Sequence, residues 1–220
     1  MSRVRRLPPD QLRRYLADAP HPRTPQWREL AHNFPPISWA DLFGNDHPVE
    51  IEVGFGKGLF LLSQSQAHPD VNFFGIEIER KYVMLTAARL ARRQTANVRL
   101  ACTDARWLLQ AAVAAGSVAA VHVYFPDPWW KQRHRKRKLF TAEFLEQCVR
   151  VLAPGGGLHF ATDVQEYFEE SWAMLEARPL LAPAPHLILD PKDGLTHFER
   201  KYRQEGRAIY RTCFQRTRHA

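Results

Sequence analysis

The chain has 220 residues, 45% of them hydrophobic, and a formal net charge of +8. This length leaves room for one α/β domain with a short appendage, and the positive charge favours a polyanionic partner, either a nucleic acid or an anionic membrane. No hydrophobic run approaches the roughly 20 residues of a membrane-spanning helix, which argues against an integral membrane protein.

The three cysteines, Cys102, Cys148 and Cys213, are far apart in the sequence. Their odd number does not suit a disulfide framework, and their spacing is not that of a zinc site. We therefore expect reduced thiols in a cytoplasmic protein that holds no metal.

Residues 1–40 form a basic N-terminal arm that is rich in Arg and Pro. A transit peptide would be rich in serine and poor in acids, whereas Ser2 is the only serine before residue 37 and three acids are present. We expect a flexible arm that contributes to RNA affinity, followed by a single domain over residues 41–220.

Strand-like and helix-like patterns alternate after the arm. The predicted strands are Val49–Val53, Val71–Ile78, Val98–Cys102, Val118–Phe125 and Leu158–Thr162, with two further edge strands within Ala182–Leu189 and Ala208–Gln215. The predicted helices are Leu59–Ala67, Tyr82–Gln94, Ala105–Ala115, Ala142–Leu152 and Val164–Ala177. Short connections between such elements predict an α/β fold with a doubly wound, mostly parallel seven-stranded sheet.

A glycine loop follows the first predicted strand, with Gly54, Gly56 and Gly58 directly after Glu52. Nucleotide cofactors bind at this position in doubly wound folds. The loop has Leu59 where a dinucleotide-binding fingerprint places its third glycine. A pyrophosphate is disfavoured beside Glu52, whereas S-adenosylmethionine has no phosphate and carries an ammonium and a sulfonium. The loop therefore favours the methyl donor over a nicotinamide cofactor.

Two more acids end the next two predicted strands. Glu77 lies 25 residues beyond Glu52, a distance that suits an acceptor for ribose hydroxyls. Asp104 is placed to accept from an adenine amino group or to cap the following helix. Taken singly, Glu52 could be an exposed edge charge and Glu77 a solvated strand end. Three acids at three successive strand ends favour a shared binding site.

Residues 125–138 combine an acid with aromatic and basic side chains. Asp127 lies between two prolines, the pair Trp129 and Trp130 follows, and six of the eight residues from Lys131 to Lys138 are Lys or Arg. A carboxylate at a strand end beside aromatics and phosphate-seeking cations indicates chemistry on a nucleic-acid base. A localisation signal or a solvated charge run is the alternative.

Together these motifs resemble the bacterial tRNA (guanine-N7-)-methyltransferase family, within the class I S-adenosylmethionine-dependent methyltransferases. The resemblance rests on the glycine loop, Gly75-Ile76-Glu77, Asp104, Phe125-Pro126-Asp127-Pro128-Trp129 with the basic run, Thr162-Asp163 and Thr196-His197-Phe198-Glu199. It covers residues 45–215 and implies a Rossmann-like methyltransferase fold. Trp130 and Gln132 stand where the family usually has Pro and Lys.

The resemblance also implies roles for individual residues. The residues expected to bind S-adenosylmethionine are Glu52, Gly54, Gly56, Gly58, Glu77, Asp104 and Asp127. Asp127 is also the expected catalytic residue. Lys131, Asp163, Thr196, His197, Phe198 and Glu199 are expected to bind tRNA, and no metal is expected.

Guanine N7 is an unprotonated nucleophile, so the expected reaction needs alignment rather than a general base. Asp127 can orient the donor or the base, Asp163 can accept from guanine N1–H and its amine, and a tryptophan can stack on the base. A class I methyltransferase that acts on an adenine amino group and a non-catalytic tRNA-binding protein of the same fold are the alternatives.

Overall fold

A computed structural model describes residues 8–128, 138–189 and 196–218. The strands are β1 (Leu16–Ala17), β2 (Val49–Val53), β3 (Asn72–Glu77), β4 (Val98–Cys102), β5 (Val118–Tyr124), β6 (Leu152–Thr162), β7 (Leu181–Pro183) and β8 (Tyr210–Arg216). The helices are α1 (Pro9–Arg13), α2 (Trp27–His32), α3 (Trp39–Phe43), α4 (Leu59–Ala67), α5 (Arg80–Arg92), α6 (Ala105–Ala112), α7 (Ala142–Val151), α8 (Gln165–Glu176) and α9 (His197–Gln204), with one 3-10 turn at Pro185–Leu187.

The eight strands form one sheet in the order β1-β4-β3-β2-β5-β6-β8-β7. The first six strands in this order are parallel, and β8 and β7 complete the sheet in antiparallel pairing. The predicted doubly wound, mostly parallel sheet is confirmed. Strand order reverses between β2 and β5, and such a switch point opens a crevice at the carboxyl ends of the strands.

The sheet has one strand more than the seven predicted. The additional strand, β1, comes from the N-terminal arm and pairs with β4 through Leu16 and Leu100. A two-residue strand has no periodicity that a sequence pattern can reveal. Tyr15, just before it, is fully buried, and its hydroxyl donates to the carbonyl of Leu90 on α5. The domain boundary at residue 40 stays a prediction, but residues 8–36 include elements that pack on the domain.

The predicted start of the fifth strand at Leu158 is wrong, because the strand begins six residues earlier. β6 begins already at Leu152, pairing with Val118, and pairing resumes at Gly157 opposite Ala120 after an irregularity. Gly155 has φ +85°, so the extra residues form a bulge within one strand rather than a loop before it. The edge strand predicted within residues 182–189 is short: β7 covers only Leu181–Pro183, and the 3-10 turn follows it.

Hydrophobic side chains form a core on each face of the sheet. Side chains from α3, α6, α7 and α8 make the larger core, and those from α1, α4 and α5 make the other. Helices on both faces explain why the central strands are buried along their whole length, as in β3. Among residues 8–128, 138–189 and 196–218, no helix combines the length and the hydrophobicity that crossing a membrane requires.

Candidate active site

The predicted glycine loop lies at the switch point, between β2 and the start of α4. Gly54, Gly56 and Gly58 all have positive φ, at 75°, 51° and 67°. A side chain at Gly58 would place its Cβ 2.3 Å from Cγ2 of Thr86 on α5. The loop therefore depends on glycine both for its backbone conformation and for its close approach to a neighbouring helix.

Glu52 precedes this loop and is buried, with 3% of its surface exposed. One carboxyl oxygen, Oε2, has no hydrogen-bond partner among the described residues. Burial, followed by the negative charge of Glu77, raises the pKa of Glu52 to about 8, although the backbone N–H of Leu61 opposes this rise. The alternative of an exposed edge charge is wrong, and within the described part of the chain this buried acid has no cationic partner.

Glu77 fixes the conformation of the loop. Its Oε2 accepts from the N–H of Gly56 at 2.9 Å, and its Oε1 accepts from the N–H of Glu79 at 2.9 Å. Only 8% of its surface is exposed, so the alternative of a solvated strand end is wrong. Burial raises the pKa of Glu77, and the N–H groups of Glu79 and Gly56 oppose that rise.

Asp104 caps helix α6, as one of the two interpretations from the sequence anticipates. Its Oδ1 accepts from the N–H of Arg106 at 2.9 Å, and its Oδ2 lies 2.7 Å from the Arg106 guanidinium. The cap leaves its role in cofactor binding a prediction. Its place at the end of β4, next to the ends of β3 and β2, puts it on the same edge as Glu77 and Glu52.

The N-terminal arm contacts this edge, which the sequence did not indicate. Thr103 Oγ1 donates to the carbonyl of Pro20 at 2.6 Å, and His21 Nε2 lies 3.0 Å from the carbonyl oxygen of Ile78. Arg23 forms an ion pair with Glu79 at 2.8 Å. These arm residues thus bond to the neighbours of Glu77 and Asp104.

Next to this contact the structure leaves open space and exposed hydrophobic surface. A cavity of about 870 Å³ lies between the arm and the face of β4 and α5, where Arg80 and Cys102 are among its lining residues. The side chain of Ile78, directly after Glu77, is 41% exposed. A hydrophobic side chain exposed beside two acids is the kind of surface that a planar ring can cover.

Asp127 follows a turn at the end of β5. Phe125 has φ +51°, an uncommon conformation for a residue with a side chain, and its N–H donates to the carbonyl of Ala161 at 2.7 Å. The chain then turns so that Pro126 is buried while Asp127 is exposed. Because β5 lies between β2 and β6, Asp127 occupies the middle of the strand-end edge.

Asp163 follows β6 and is already paired. Arg207 Nη1 lies 2.7 Å from Asp163 Oδ2, and the same guanidinium lies 4.5 Å above the ring of Tyr202 on α9. The Tyr202 ring is also 5.6 Å from the ring of Phe125. Sequence reasoning singled out Asp163 but neither Tyr202 nor Arg207, which lie about 40 residues further along the chain.

Residues 196–199 begin helix α9. Thr196 caps the helix by accepting from the N–H of Glu199 at 3.1 Å, and Phe198 is 48% exposed. His197 Nε2 lies 3.3 Å from Arg89 Nη1, which donates to the carbonyl of Lys57 in the glycine loop at 2.6 Å. Helix α9 and the glycine loop are therefore connected through one arginine of α5.

Glu199 is 3% exposed and Thr196 is buried as well, whereas His197 is half-buried and Phe198 is exposed. The Glu199 carboxylate pairs with Arg203 on the same helix and with Arg211 on β8. These ion pairs hold α9 against the sheet. The expected contact of Glu199 with tRNA stays a prediction.

Part of the basic run lies outside the described residues. Residues 129–137 are not described, and this range contains both tryptophans, Lys131, Gln132 and the arginines up to Arg137. Lys138 is described: its Nζ lies 2.5 Å from Glu170 and 4.6 Å from the centre of the Tyr167 ring.

No cluster of three or more His, Cys, Asp or Glu side chains suited to a metal ion occurs in the described ranges.

A buried polar row crosses the sheet behind the site. His122 on β5 is 2.8 Å from Glu50 and 3.0 Å from the hydroxyl of Tyr124, and its ring stacks on His159 at 4.5 Å. Cys213 lies 3.7 Å from His159. His122 is 1% exposed and packs within the sheet.

The chain has clear relatives. A family model described as "Putative methyltransferase" matches residues 46–212. A tRNA (guanine-N(7)-)-methyltransferase of Rhodopirellula baltica is 44% identical over 86% of this chain and 74% of the relative, and one of Geobacillus thermodenitrificans is 38% identical over 79% and 82%. The crystal structure of the 16S rRNA methyltransferase KamB superposes with a TM-score of 0.57 at 16% identity, covering 81% of this chain and 92% of that one, which shows a shared fold.

Proposed function

We propose, from the premise that this chain belongs to the tRNA (guanine-N(7)-)-methyltransferase family, that it transfers a methyl group from S-adenosylmethionine to N7 of a guanosine in the variable loop of tRNA. The single observation that carries the donor assignment is the buried carboxyl oxygen of Glu52 at the mouth of the glycine loop, which no described residue hydrogen-bonds.

The residues present fit this donor. A buried acid with a pKa raised to about 8 gains a partner when an ammonium group binds beside it. Among the described residues, a Cβ atom added at Gly54 would have no neighbour within 4 Å, and one added at Gly56 would meet only the carbonyl oxygen of Gly54, at 4.0 Å. Ligand atoms can therefore approach the backbone there. We assign the ribose hydroxyls to the Glu77 carboxylate and the adenine amine to that of Asp104, since both carboxylates are hydrogen-bond acceptors.

The donor supplies, when bound, a sulfonium methyl group that the N7 lone pair takes as the C–S bond breaks, so the positive charge passes to the base. No proton moves in this reaction, and the protein residues therefore orient and stabilise rather than act as acid or base. Asp127 lies between the glycine loop and Asp163, where its negative charge stabilises a base that becomes cationic.

The remaining residues suit an RNA substrate. The chain carries 31 Lys and Arg against 23 Asp and Glu. Positively charged residues near Asp127 would hold phosphates around a base that leaves its stacked position. The exposed ring of Phe198 adds a surface on which a base can stack.

Incubation with labelled S-adenosylmethionine and unmodified tRNA, followed by nucleoside analysis, tests the proposal. We expect label in 7-methylguanosine from the variable loop. Label in methyladenosine would indicate a different class I RNA methyltransferase, and tRNA binding with no transfer would indicate a non-catalytic protein of the same fold. A matched tRNA with adenosine at the target position is the control and should remain unlabelled.

A further inference from the structure

Arg207 holds a position that a guanine base is chemically suited to take. One edge of guanine, N1–H with the exocyclic amine, carries the same planar set of N–H donors as a guanidinium group. The Arg207 guanidinium donates to Asp163 at 2.7 Å and lies over the Tyr202 ring at 4.5 Å. Hydrogen bonds to a carboxylate and stacking on an aromatic ring are the two interactions by which proteins hold an unstacked base.

We propose that Tyr202 is the stacking surface for the target guanine, and that the Arg207 guanidinium occupies the place of the guanine edge until RNA displaces it. This inference rests on the proposed function and adds two residues, Tyr202 and Arg207, to the acceptor side of the site.

The surroundings of Tyr202 support this role. Partial burial and then the charge of Asp163 raise the pKa of Tyr202, and Asp127 acts in the same direction, so the ring lies in the field of both acids. The ring also lies near a second cation, with Lys201 Nζ at 5.7 Å. A ring that accepts cations in the free protein is suited to a base that becomes cationic during the reaction, because the attraction strengthens as charge develops.

The order of the strands gives the base its orientation. Asp163 follows β6, Asp127 follows β5 and the glycine loop follows β2, and these three strands are neighbours. In guanine, N7 lies on the opposite side of the base from the N1–H edge. A guanine bound to Asp163 by that edge therefore directs N7 towards Asp127 and the donor.

The ion pair that must break is open to solvent on one side. The side chain of Arg207 is 48% exposed and that of Asp163 is 12% exposed, so water can reach the guanidinium and reduces the contribution of the pair to stability. Its Nε also lies 2.8 Å from Glu205, which keeps the arginine near the site after it leaves Asp163. Displacement removes a cation from the place where a cationic product forms, and the released guanidinium becomes available to a phosphate.

Single-turnover methylation at saturating S-adenosylmethionine tests Tyr202. We expect Tyr202→Leu to lower the methyl-transfer rate at least about tenfold while tRNA affinity stays within about twofold, because the added attraction belongs to the transition state. Tyr202→Phe should keep the rate within about threefold. Tyr82→Leu, which removes a ring that also lies under a lysine at 4.8 Å, is the matched control and should behave as wild type. A wild-type rate for Tyr202→Leu would overturn the stacking role, as would an equal loss in the Phe variant.

A tRNA with inosine at the target position, which lacks the exocyclic amine, tests the edge recognition by Asp163. Wild type should methylate it about tenfold more slowly than guanosine, and Arg207→Ala should show the same ratio with weakened tRNA affinity. Asp163→Ala should lose the discrimination. If Arg207→Ala also loses the discrimination, Arg207 takes part in recognition of the guanine edge and the inference is wrong. Formation of 7-methylguanosine by wild type is scored separately, so a failed inference is distinguishable from a failed function.

Discussion

The glycine-loop half of the site is held mainly by backbone hydrogen bonds, whereas on the α9 half the ion pair that engages Asp163 is partly exposed. In the first half, Glu77 accepts hydrogen bonds from the N–H groups of Gly56 and Glu79 and is almost fully buried. In the second half, the side chain of Arg207, which is 48% exposed, pairs with Asp163. Given the proposed function, we expect the donor side to be preorganised and the acceptor side to rearrange when a large substrate arrives.

If the first half depends on a buried charge, removing that charge should have the largest effect. We expect Glu52→Gln to weaken S-adenosylmethionine binding about 100-fold, or about 2.7 kcal/mol, because a buried carboxylate loses its charge opposite the donor ammonium. Calorimetric titration measures the affinity. Glu50→Gln is the matched control: it lies two residues earlier on the same face of β2 but bonds to His122, and its affinity should equal that of wild type. Equal losses in both variants would contradict the assignment.

Because the pKa of Glu52 is raised, the difference in donor affinity between wild type and Glu52→Gln should depend on pH. The free protein holds this carboxyl mostly protonated at pH 7, since its pKa is about 8, and a cationic donor favours the carboxylate. Donor affinity should therefore rise between pH 6 and pH 7.5 in wild type more than in Glu52→Gln.

Because the folded pKa lies above the ordinary value of 4.5, Glu52 contributes less to folding stability as the pH rises from 4.5 to 8. The stability of Glu52→Gln relative to wild type should therefore be greater at pH 8 than at pH 4.5. The expected gain is a few kcal/mol, since each unit of pKa shift corresponds to about 1.4 kcal/mol. Parallel pH profiles for the two proteins would show that Glu52 does not titrate in this range.

Asp127 lies where the two halves meet, and its loss should affect catalysis rather than binding. We expect Asp127→Ala to lower turnover at least about 30-fold, or about 2 kcal/mol, with tRNA affinity within about twofold. Turnover is measured at saturating donor and tRNA. Asp70→Ala, an exposed acid just before β3 at the opposite edge of the sheet, should keep wild-type turnover. Full turnover in Asp127→Ala would remove this residue from the mechanism.

The backbone dependence of the glycine loop is testable through stability. Gly58→Ala places a Cβ 2.3 Å from Thr86 at φ +67°, whereas Gly44→Ala has a similar φ of +75° and no atom within 4 Å. The shared cost of the left-handed conformation is about 1–2 kcal/mol. The free energy of unfolding of Gly58→Ala should be lower than that of Gly44→Ala by at least about 1 kcal/mol, because only the former also overpacks. Urea denaturation curves that coincide for both variants would mean that the loop can yield without cost.

The smallest effects should appear among the basic residues, and they should differ within the run. Replacing Arg135, Lys136 and Arg137 with alanine should lower the slope of log tRNA affinity against log salt by about 0.7–0.9 for each phosphate that the variant no longer binds. Lys138→Ala should leave the slope nearly unchanged, because this lysine already pairs with Glu170. Titrations at several salt concentrations measure both. A slope that changes equally for Lys138 and for each of the others would show that the ion pair opens on RNA.

The sequence predicted the glycine-loop half of the site in more detail than the α9 half. β2, β4 and α4 have the predicted bounds, and the glycine loop and three acids share one edge, because those signals are local in the chain. The hydrogen bonds of Pro20 and His21 with that edge join residues 57 and more positions apart, and no short pattern reports them.

On the α9 side, the resemblance named residues but not the partners that the structure gives them. Tyr202 and Arg207 belong to a helix end and the turn after it, and the fold alone brings them to Asp163. Glu199 was recognised as part of a motif, yet its burial between two arginines depends on how α9 docks against β8. Side-chain pairing of this kind is decided by tertiary structure rather than by sequence spacing.

A structure of the protein with S-adenosylhomocysteine and a tRNA tests the division of the site most directly. We expect the homocysteine amino group beside Glu52 at the glycine loop, the target guanine stacked on Tyr202 with its N1–H edge on Asp163, and Arg207 withdrawn from that carboxylate. A guanine bound away from Asp163 while Arg207 remains paired, or a cofactor bound away from the glycine loop, would contradict this division.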